Sequence, residues 1–367
     1  MGAVIEFRIR LIFATLFIAS ALISGCSDQI GGFSSCKGSS FEVQNFLYSF
    51  NLDTPDQPDI IAAFGNEGSK VSNISPGLSG NDFIMTSGNK IFHVSMLTSP
   101  VTKTIYTVPN ASGLMISPDG SKFMYGTDNV KRITIIDTTG QFVTTVPILP
   151  SVTSFSQKQW ANDRTIAFFA HDSVSGRGIY LTDIITGNVT KIYSANDSGG
   201  FNLSPDLRKL VISEVRTDDQ GNSRLMIAQV DLASGSKIDL ANGSNPKIVV
   251  GGQKVLYRNG SFLSLVDLHG NKSDLLLHDH WIHPYSLSTD SNSIIAAAHV
   301  GESIQIKWVD LRDGRIVDMG TVANFETVVA PHWDSVESKL HTPFLAFDGK
   351  RAFVFVHRNY YSDGCPN

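Results

Sequence analysis

Two kinds of β-hairpin alternate along this 367-residue chain at a spacing of about 43 residues, and that period restricts the fold more than any other feature. The first kind reads "GLMISPDGSKFMYG", "FNLSPDLRKLVIS" and "YSLSTDSNSIIAAA". The second reads "ITIIDTTGQFVTTV", "IYLTDIITGNVTKIY", "IAQVDLASGSKIDL", "LSLVDLHGNKSDLL" and "IKWVDLRDGRIVDM". In each, short runs rich in Val, Ile, Tyr and Phe flank a cluster of Asp, Gly, Ser or Pro, the signature of two strands joined by a tight turn. Equivalent turns of the first kind fall at Ser75, Ser117, Trp160, Ser204, Val249 and Ser288, in steps of 42, 43, 44, 45 and 39 residues. The second kind recurs at Asn51, Met96, Asp137, Asp183, Asp231, Asp267 and Asp310. Nothing beyond the N-terminal segment shows a helical period.

Four strands per repeat predict an all-β fold, a β-propeller with four antiparallel strands in each blade. A sandwich would not require so regular a period. Seven hairpins of the second kind predict seven blades, with six as the alternative if the weak repeat at 249–276 is irregular. The first of these hairpins has no partner upstream, and "FLAFDGKRAFVFV" near the C-terminus has none downstream. The two are expected to complete one blade, its inner strands C-terminal and its outer strands from residues 46–64, leaving no open edge.

The "SPDG" turns and the "VDLxxG" pattern resemble the TolB-like family of propellers, whose repeats are relatives of the WD type. The resemblance covers most of residues 65–357, but Trp160-Ala161-Asn162-Asp163 replaces one Ser-Pro-Asp-Gly turn, and "VVGGQK" lacks the Asp. It implies a propeller of the bacterial envelope. It leaves the ligand open, because one fold hosts many functions.

The N-terminus agrees with export. Arg8 and Arg10 precede the apolar run "LIFATLFIASALI", which is short for a membrane span, and the small residues Ser24 and Gly25 follow. "ISGC" resembles a bacterial lipobox, with Ile23 where Leu is usual; this implies a signal peptide over 1–25, lipidation at Cys26 and a tether over 26–40 before a propeller domain over 41–367. A plain signal peptide, or an anchor helix with a chance cysteine, is the other account. Ser27 points to the outer membrane, by analogy with enteric sorting, and to a protein facing the periplasm. If Cys26 is lipidated, Cys36 and Cys365 remain as an even pair in an oxidising compartment. Ring closure brings both ends to one blade, so a Cys36–Cys365 disulfide is expected; two unpaired thiols in tails are the alternative.

Net charge is −5, with no basic run, which gives no reason to expect a nucleic-acid partner. There is no GxSxG elbow and no HExxH. "RTDDQGNSR" is far from EF-hand spacing and reads as a solvated hairpin turn. Histidines are more concentrated: "HDHWIHP" supplies His280 and His283, "AAAHVGES" His299, and the expected insertion at 321–342 His332. Propeller topology puts these on one face, where imidazoles suit a divalent transition metal. The arrangement is similar, by position and residue type only, to oligogalacturonate lyases, and that likeness implies an enzyme. Loop histidines are otherwise exposed or packed at junctions. Trp281, Trp333 and Asp334 in the same loops are candidates for holding a partner.

The leading expectation is a non-enzymatic lipoprotein, held to the membrane by its acyl chains. Its propeller would bind an envelope protein, peptide or glycan, without a cofactor. The alternative is a metal-dependent lyase or hydrolase acting on a periplasmic saccharide.

Overall fold

The computed structural model describes residues 40–64, 71–76, 82–87, 90–95, 101–107, 111–127, 130–147, 151–195, 199–217, 219–260, 262–278, 285–288, 290–300, 303–323, 335–340, 344–345 and 351–362. Twenty-nine strands are assigned among them. The first two are β1 (Ser40–Asn51) and β2 (Thr54–Phe64). A four-stranded antiparallel sheet follows: β3 (Val71–Pro76), β4 (Asp82–Ser87), β5 (Lys90–Ser95) and β6 (Val101–Thr107). The next is β7 (Ala111–Ile116), β8 (Lys122–Thr127), β9 (Val130–Asp137) and β10 (Phe142–Pro147). The third is β11 (Val152–Trp160), β12 (Thr165–Asp172), β13 (Gly176–Asp183) and β14 (Val189–Ser194). The fourth is β15 (Phe201–Leu203), β16 (Lys209–Thr217), β17 (Ser223–Asp231) and β18 (Lys237–Asn242). The fifth is β19 (Ser244–Val249), β20 (Lys254–Asn259), β21 (Phe262–Asp267) and β22 (Lys272–His278). The sixth is β23 (Tyr285–Leu287), β24 (Ser293–Val300), β25 (Ser303–Asp310) and β26 (Ile316–Ala323).

The last strands, β27 (Ser335–Leu340), β28 (Phe344–Leu345) and β29 (Arg351–Ser362), join β1 and β2 in one further sheet. There β29 pairs with β1 from Ser40↔Ser362 to Asn51↔Arg351, and its other edge takes β28 and then β27. The outer strands therefore begin at Ser40 rather than at 46. Residues 321–323 lie in β26 and 335–340 in β27, so the expected insertion at 321–342 is partly sheet. Its remainder, 324–334 and 341–342, lies outside the described residues.

The chain is an all-β propeller of four-stranded antiparallel sheets. Five blades, β7–β10 through β23–β26, carry their described cores through all four strands, in place of the seven or six counted from the repeat. The sheet β3–β6 and the terminal sheet are described by their strand pairing.

Alternation along each strand explains how the blades stack. In β12, Ile166, Phe168 and Ala170 pack back against Met124, Ile133 and Val146 of the preceding blade. Their neighbour Ala167 packs forward against Leu210 and Ile212 of the next. In β16 the pattern repeats, with Val211 facing Val255, Tyr257 and Val266. Leu256 and Leu265 then meet Ile294 and Val309. Successive side chains point to opposite faces of a sheet, so a strand buried on both faces reads as a continuous apolar run. Each such buried Ile, Leu or Phe contributes about 1.5–3 kcal/mol.

Both turn motifs are explained by side-chain caps. Ser117 Oγ donates to Asp119 Oδ1 at 2.5 Å and accepts Lys122 N–H at 3.0 Å; Ser204–Asp206 and Ser288–Asp290 repeat the donation at 2.6 Å. In the second motif Asp137, Asp183, Asp231 and Asp267 each accept two backbone N–H groups of their own turn through Oδ1. Gly140, Gly187, Gly235 and Gly270 close those turns at φ between 71° and 88°, a region that favours glycine. In the turn that lacks Ser-Pro-Asp-Gly, Ala161 takes the place of Ser117, one residue after Trp160. Asn162 Oδ1 there accepts the N–H groups of Arg164 and Thr165.

Candidate functional site

The innermost strands share a second repeated feature, which the motifs do not announce. Four residues before each first turn the backbone is left-handed: Gly113 (φ 57°), Gln157 (50°), Gly200 (127°) and Asn245 (52°). The strand register breaks beside three of these, at Ser112/Met115, Ser156/Gln159 and Ser244/Lys247. An extra residue in one strand bends it and turns its side chains to a new direction. The positive φ recurs in four successive blades, and the bulge in three of them. The chain approaches closely there: Asn245 N–H donates to Gly199 C=O at 2.9 Å, and a Cβ on Gly200 would lie 2.9 Å from Asn245 Cα.

The bulged strands enclose a cavity of about 190 Å³. Met115 comes from β7, Gln157, Lys158 and Gln159 from β11, Gly200 and Phe201 from the start of β15, and Asn245, Pro246 and Lys247 from β19. No carboxylate is among these residues. Lys158 reaches back over Gly113, where an added Cβ would come within 2.6 Å of its Nζ. Burial pushes the Lys247 ammonium below its ordinary pKa, since desolvation disfavours the charged form.

One wall of the cavity is set by a relay across three blades. Ile248 N–H donates to Asn202 Oδ1 at 2.9 Å. That fixes the other end of the amide, and Asn202 Nδ2 donates to Gln159 Oε1 at 2.9 Å. Gln159, 7% exposed, is left with its Nε2 donor unpartnered among the described residues. Gln159 and Asn202 stand two residues before equivalent turns, so polar residues at one repeat position in neighbouring blades are the signal that could reveal them.

A second polar group lies outward, between two blades. Glu214, its side chain 12% exposed, receives Tyr193 Oη at 2.8 Å, Lys237 Nζ, and Arg216 Nη2 at 3.4 Å; Arg216 also reaches Asp239 at 3.4 Å. Burial raises the Tyr193 phenol, while Glu214 and Tyr193 hold Lys237 above its usual value against the desolvation that would lower it. The group ties β14 to β16 and β18 and offers no vacant coordination.

Of the residues singled out from sequence, Cys26, Cys36, Cys365, His280, His283, His332, Trp281, Trp333 and Asp334 lie outside the described residues. His299 stands in β24 opposite Ile304. Among the described residues no three His, Cys, Asp or Glu side chains are grouped to hold a metal ion, and no helix is long and apolar enough to cross a membrane. "RTDDQGNSR" spans the exposed connection between β16 and β17, as expected.

No known family and no curated protein matches the chain. Solved structures do. An oligogalacturonate lyase in complex with manganese is 11% identical with a TM-score of 0.56, over 77% of this chain and 86% of that one. The C-terminal WD40 domain of Sif2 is 14% identical with a TM-score of 0.50, over 85% and 87%. A putative TolB from Agrobacterium tumefaciens is 13% identical with a TM-score of 0.46, over 87% and 98%. At such identities the likeness is one of fold, and the chain is similar to β-propellers of the WD-repeat kind.

Proposed function

We propose that the protein is a lipid-anchored propeller of the bacterial envelope that works as a binding scaffold. The observation that carries this reading is the cavity at the inner strands, whose lining includes Lys158, Lys247 and the oriented amide of Gln159. Pockets with a few placed polar groups on a fixed frame are where ligands bind. We infer seven blades, with β3–β6 and the terminal sheet supplying two beyond the five with described cores. Cys26 is the lipidated residue, Cys36 and Cys365 pair with each other, and the outer membrane is the anchor site; "ISGC" and the cysteine count support this part.

The test is binding of envelope peptide and glycan fractions to the full chain in detergent. At least one fraction binds, and Lys158→Glu weakens it at least tenfold; binding to none, or binding indifferent to that change, refutes the scaffold. A Cys26→Ser chain that stays membrane-bound refutes the anchor. Peptide mapping without reductant that finds free thiols at Cys36 and Cys365 refutes the disulfide.

A second reading is a metal-dependent lyase or hydrolase for a saccharide. Its support is that β23 starts at Tyr285, paired with Ala296 of β24, the strand that carries His299, and that His280 and His283 shortly precede Tyr285 in the sequence. With His332, these would hold a divalent transition metal, and Trp281, Trp333 and Asp334 would hold a partner or sugar. Metal analysis of the full chain before and after changing the four histidines to Ala decides it.

A further inference from the structure

The inner-strand cavity joins polar donors to an apolar wall, and we propose that it binds the carboxylate of a peptide, recognised by Lys158, Gln159 and Lys247. This rests on the scaffold reading and names the chemistry of that same cavity.

The relay makes the strongest argument. A free Gln side chain can present oxygen or nitrogen by turning over, but here the choice is removed. Ile248 N–H can only donate, so Asn202 must meet it with oxygen and give its nitrogen to Gln159. Gln159 therefore presents a donor, nine-tenths buried and unpartnered among the described residues. A donor stranded in this way loses free energy until an acceptor arrives.

Charge points the same way. Lys247 brings an ammonium to the cavity, and no carboxylate is among the described lining, in a chain whose net charge is −5. Desolvation already presses on Lys247, and an anion beside it would offset that cost.

The rest of the wall selects among anions. Met115, Phe201 and Pro246 are apolar, and about 190 Å³ holds a carboxylate with a short carbon stem. A doubly charged phosphate would give up more hydration against the same wall. Asn245, exposed beside the cavity, offers an amide to the peptide backbone that would follow.

The experiment is calorimetric titration of the full chain in detergent with butyrate, butyramide and inorganic phosphate. Butyrate binds at least tenfold more tightly than the other two, and Gln159→Glu and Lys247→Met each weaken it at least tenfold with thermal melting retained. Equal affinity for phosphate or butyramide, or variants that bind butyrate like the parent, overturns the proposal. Should Gln159→Glu not fold, Lys247→Met decides alone. Acetyl-Gly-Ala-Val with a free C-terminus, its amide, and a Glu-containing amide separate the sources. Binding of the first assigns a terminal carboxylate, binding of the third a side chain, and binding of neither overturns the peptide assignment. If butyrate fails while an envelope fraction still binds through Lys158, this assignment falls and the scaffold stands.

Discussion

Replacing Gly200 by Ala tests the close approach of inner strands on which the cavity depends. Gly200 has φ +127°, where a side chain is strained, at about 1–3 kcal/mol. Its new Cβ would also lie 2.9 Å from both Asn245 Cα and Asn245 Oδ1, against ordinary carbon contacts of about 3.5–4.0 Å. The Asn245 side chain can swing away; its Cα cannot, except by moving β19 and stretching the Asn245 N–H to Gly199 C=O bond. Overpacking of this kind costs about 1–3 kcal/mol and a lost hydrogen bond about 1 kcal/mol, for a total with the strain of about 3–7 kcal/mol. Gly221, in the hairpin between β16 and β17, supplies the control. It has φ +84° with nothing within 4 Å of an added Cβ, so Gly221→Ala carries only the backbone cost, about 1–2 kcal/mol. Urea unfolding followed by circular dichroism gives both values. With a slope of about 3 kcal/mol per molar, Gly200→Ala lowers the midpoint by about 1 M or more. If Gly200→Ala costs no more than Gly221→Ala, β15 and β19 do not approach as described and the cavity has a different wall.

Further outcomes follow from the same structure. Asn202→Asp keeps an acceptor for Ile248 N–H but presents oxygen to Gln159, whose amide must turn; butyrate affinity then falls at least tenfold by calorimetry. Phe168→Ala removes a fully buried ring that stacks on Tyr180 at 5.7 Å and meets Phe155 edge-on at 6.4 Å, at a cost of about 3–5 kcal/mol in urea unfolding. Acid should unfold the protein through its turn carboxylates. The Asp119 carboxyl, which burial alone would raise, is lowered to about 2 by donation from Ser117 and Ser121, and Asp172 to about 2 by Ser175 and Val174 N–H. A carboxyl whose folded value lies below the ordinary 3.8 stabilises fully above 3.8 and loses that contribution as pH falls towards 2. Stability measured against pH should therefore drop between pH 4 and 2, and Asp119→Asn should flatten the drop.

What could be read from the sequence was whatever repeats with a fixed residue type. Asp137, Asp183, Asp231, Asp267 and Asp310 recur because one carboxylate caps each turn, and that chemistry shows in a single line of text. Trp160-Ala161-Asn162 was harder: Asn162 does the work of the Asp, so the equivalent position lies one residue later than the Trp suggests. The bulges were hidden for a similar reason. Gly113 marks one of them, but Gln157 and Asn245 adopt a similar positive φ with side chains in place, and nothing in their names predicts it. The relay from Ile248 through Asn202 to Gln159 joins three blades, and its members become neighbours only when the blades stack. Apart from His299 in β24, the chemistry proposed from histidine content falls on 279–284 and 324–334, outside the described residues, whereas the cavity falls where no motif pointed.

The pairing of β1 with β29 has a consequence for how the protein is made. Twelve consecutive residue pairs, Ser40↔Ser362 to Asn51↔Arg351, join the first strand to the last. During synthesis β1 and β2 leave the ribosome early and must wait, one edge bare, until nearly all the intervening sheets have been translated. An exposed edge of that length invites pairing with another chain. Export as an unfolded polypeptide would defer the hazard, because β1 and β29 would arrive in the same compartment before either had folded. A nascent chain stalled short of Arg351 would keep that edge bare, so stalled chains should aggregate while complete ones do not.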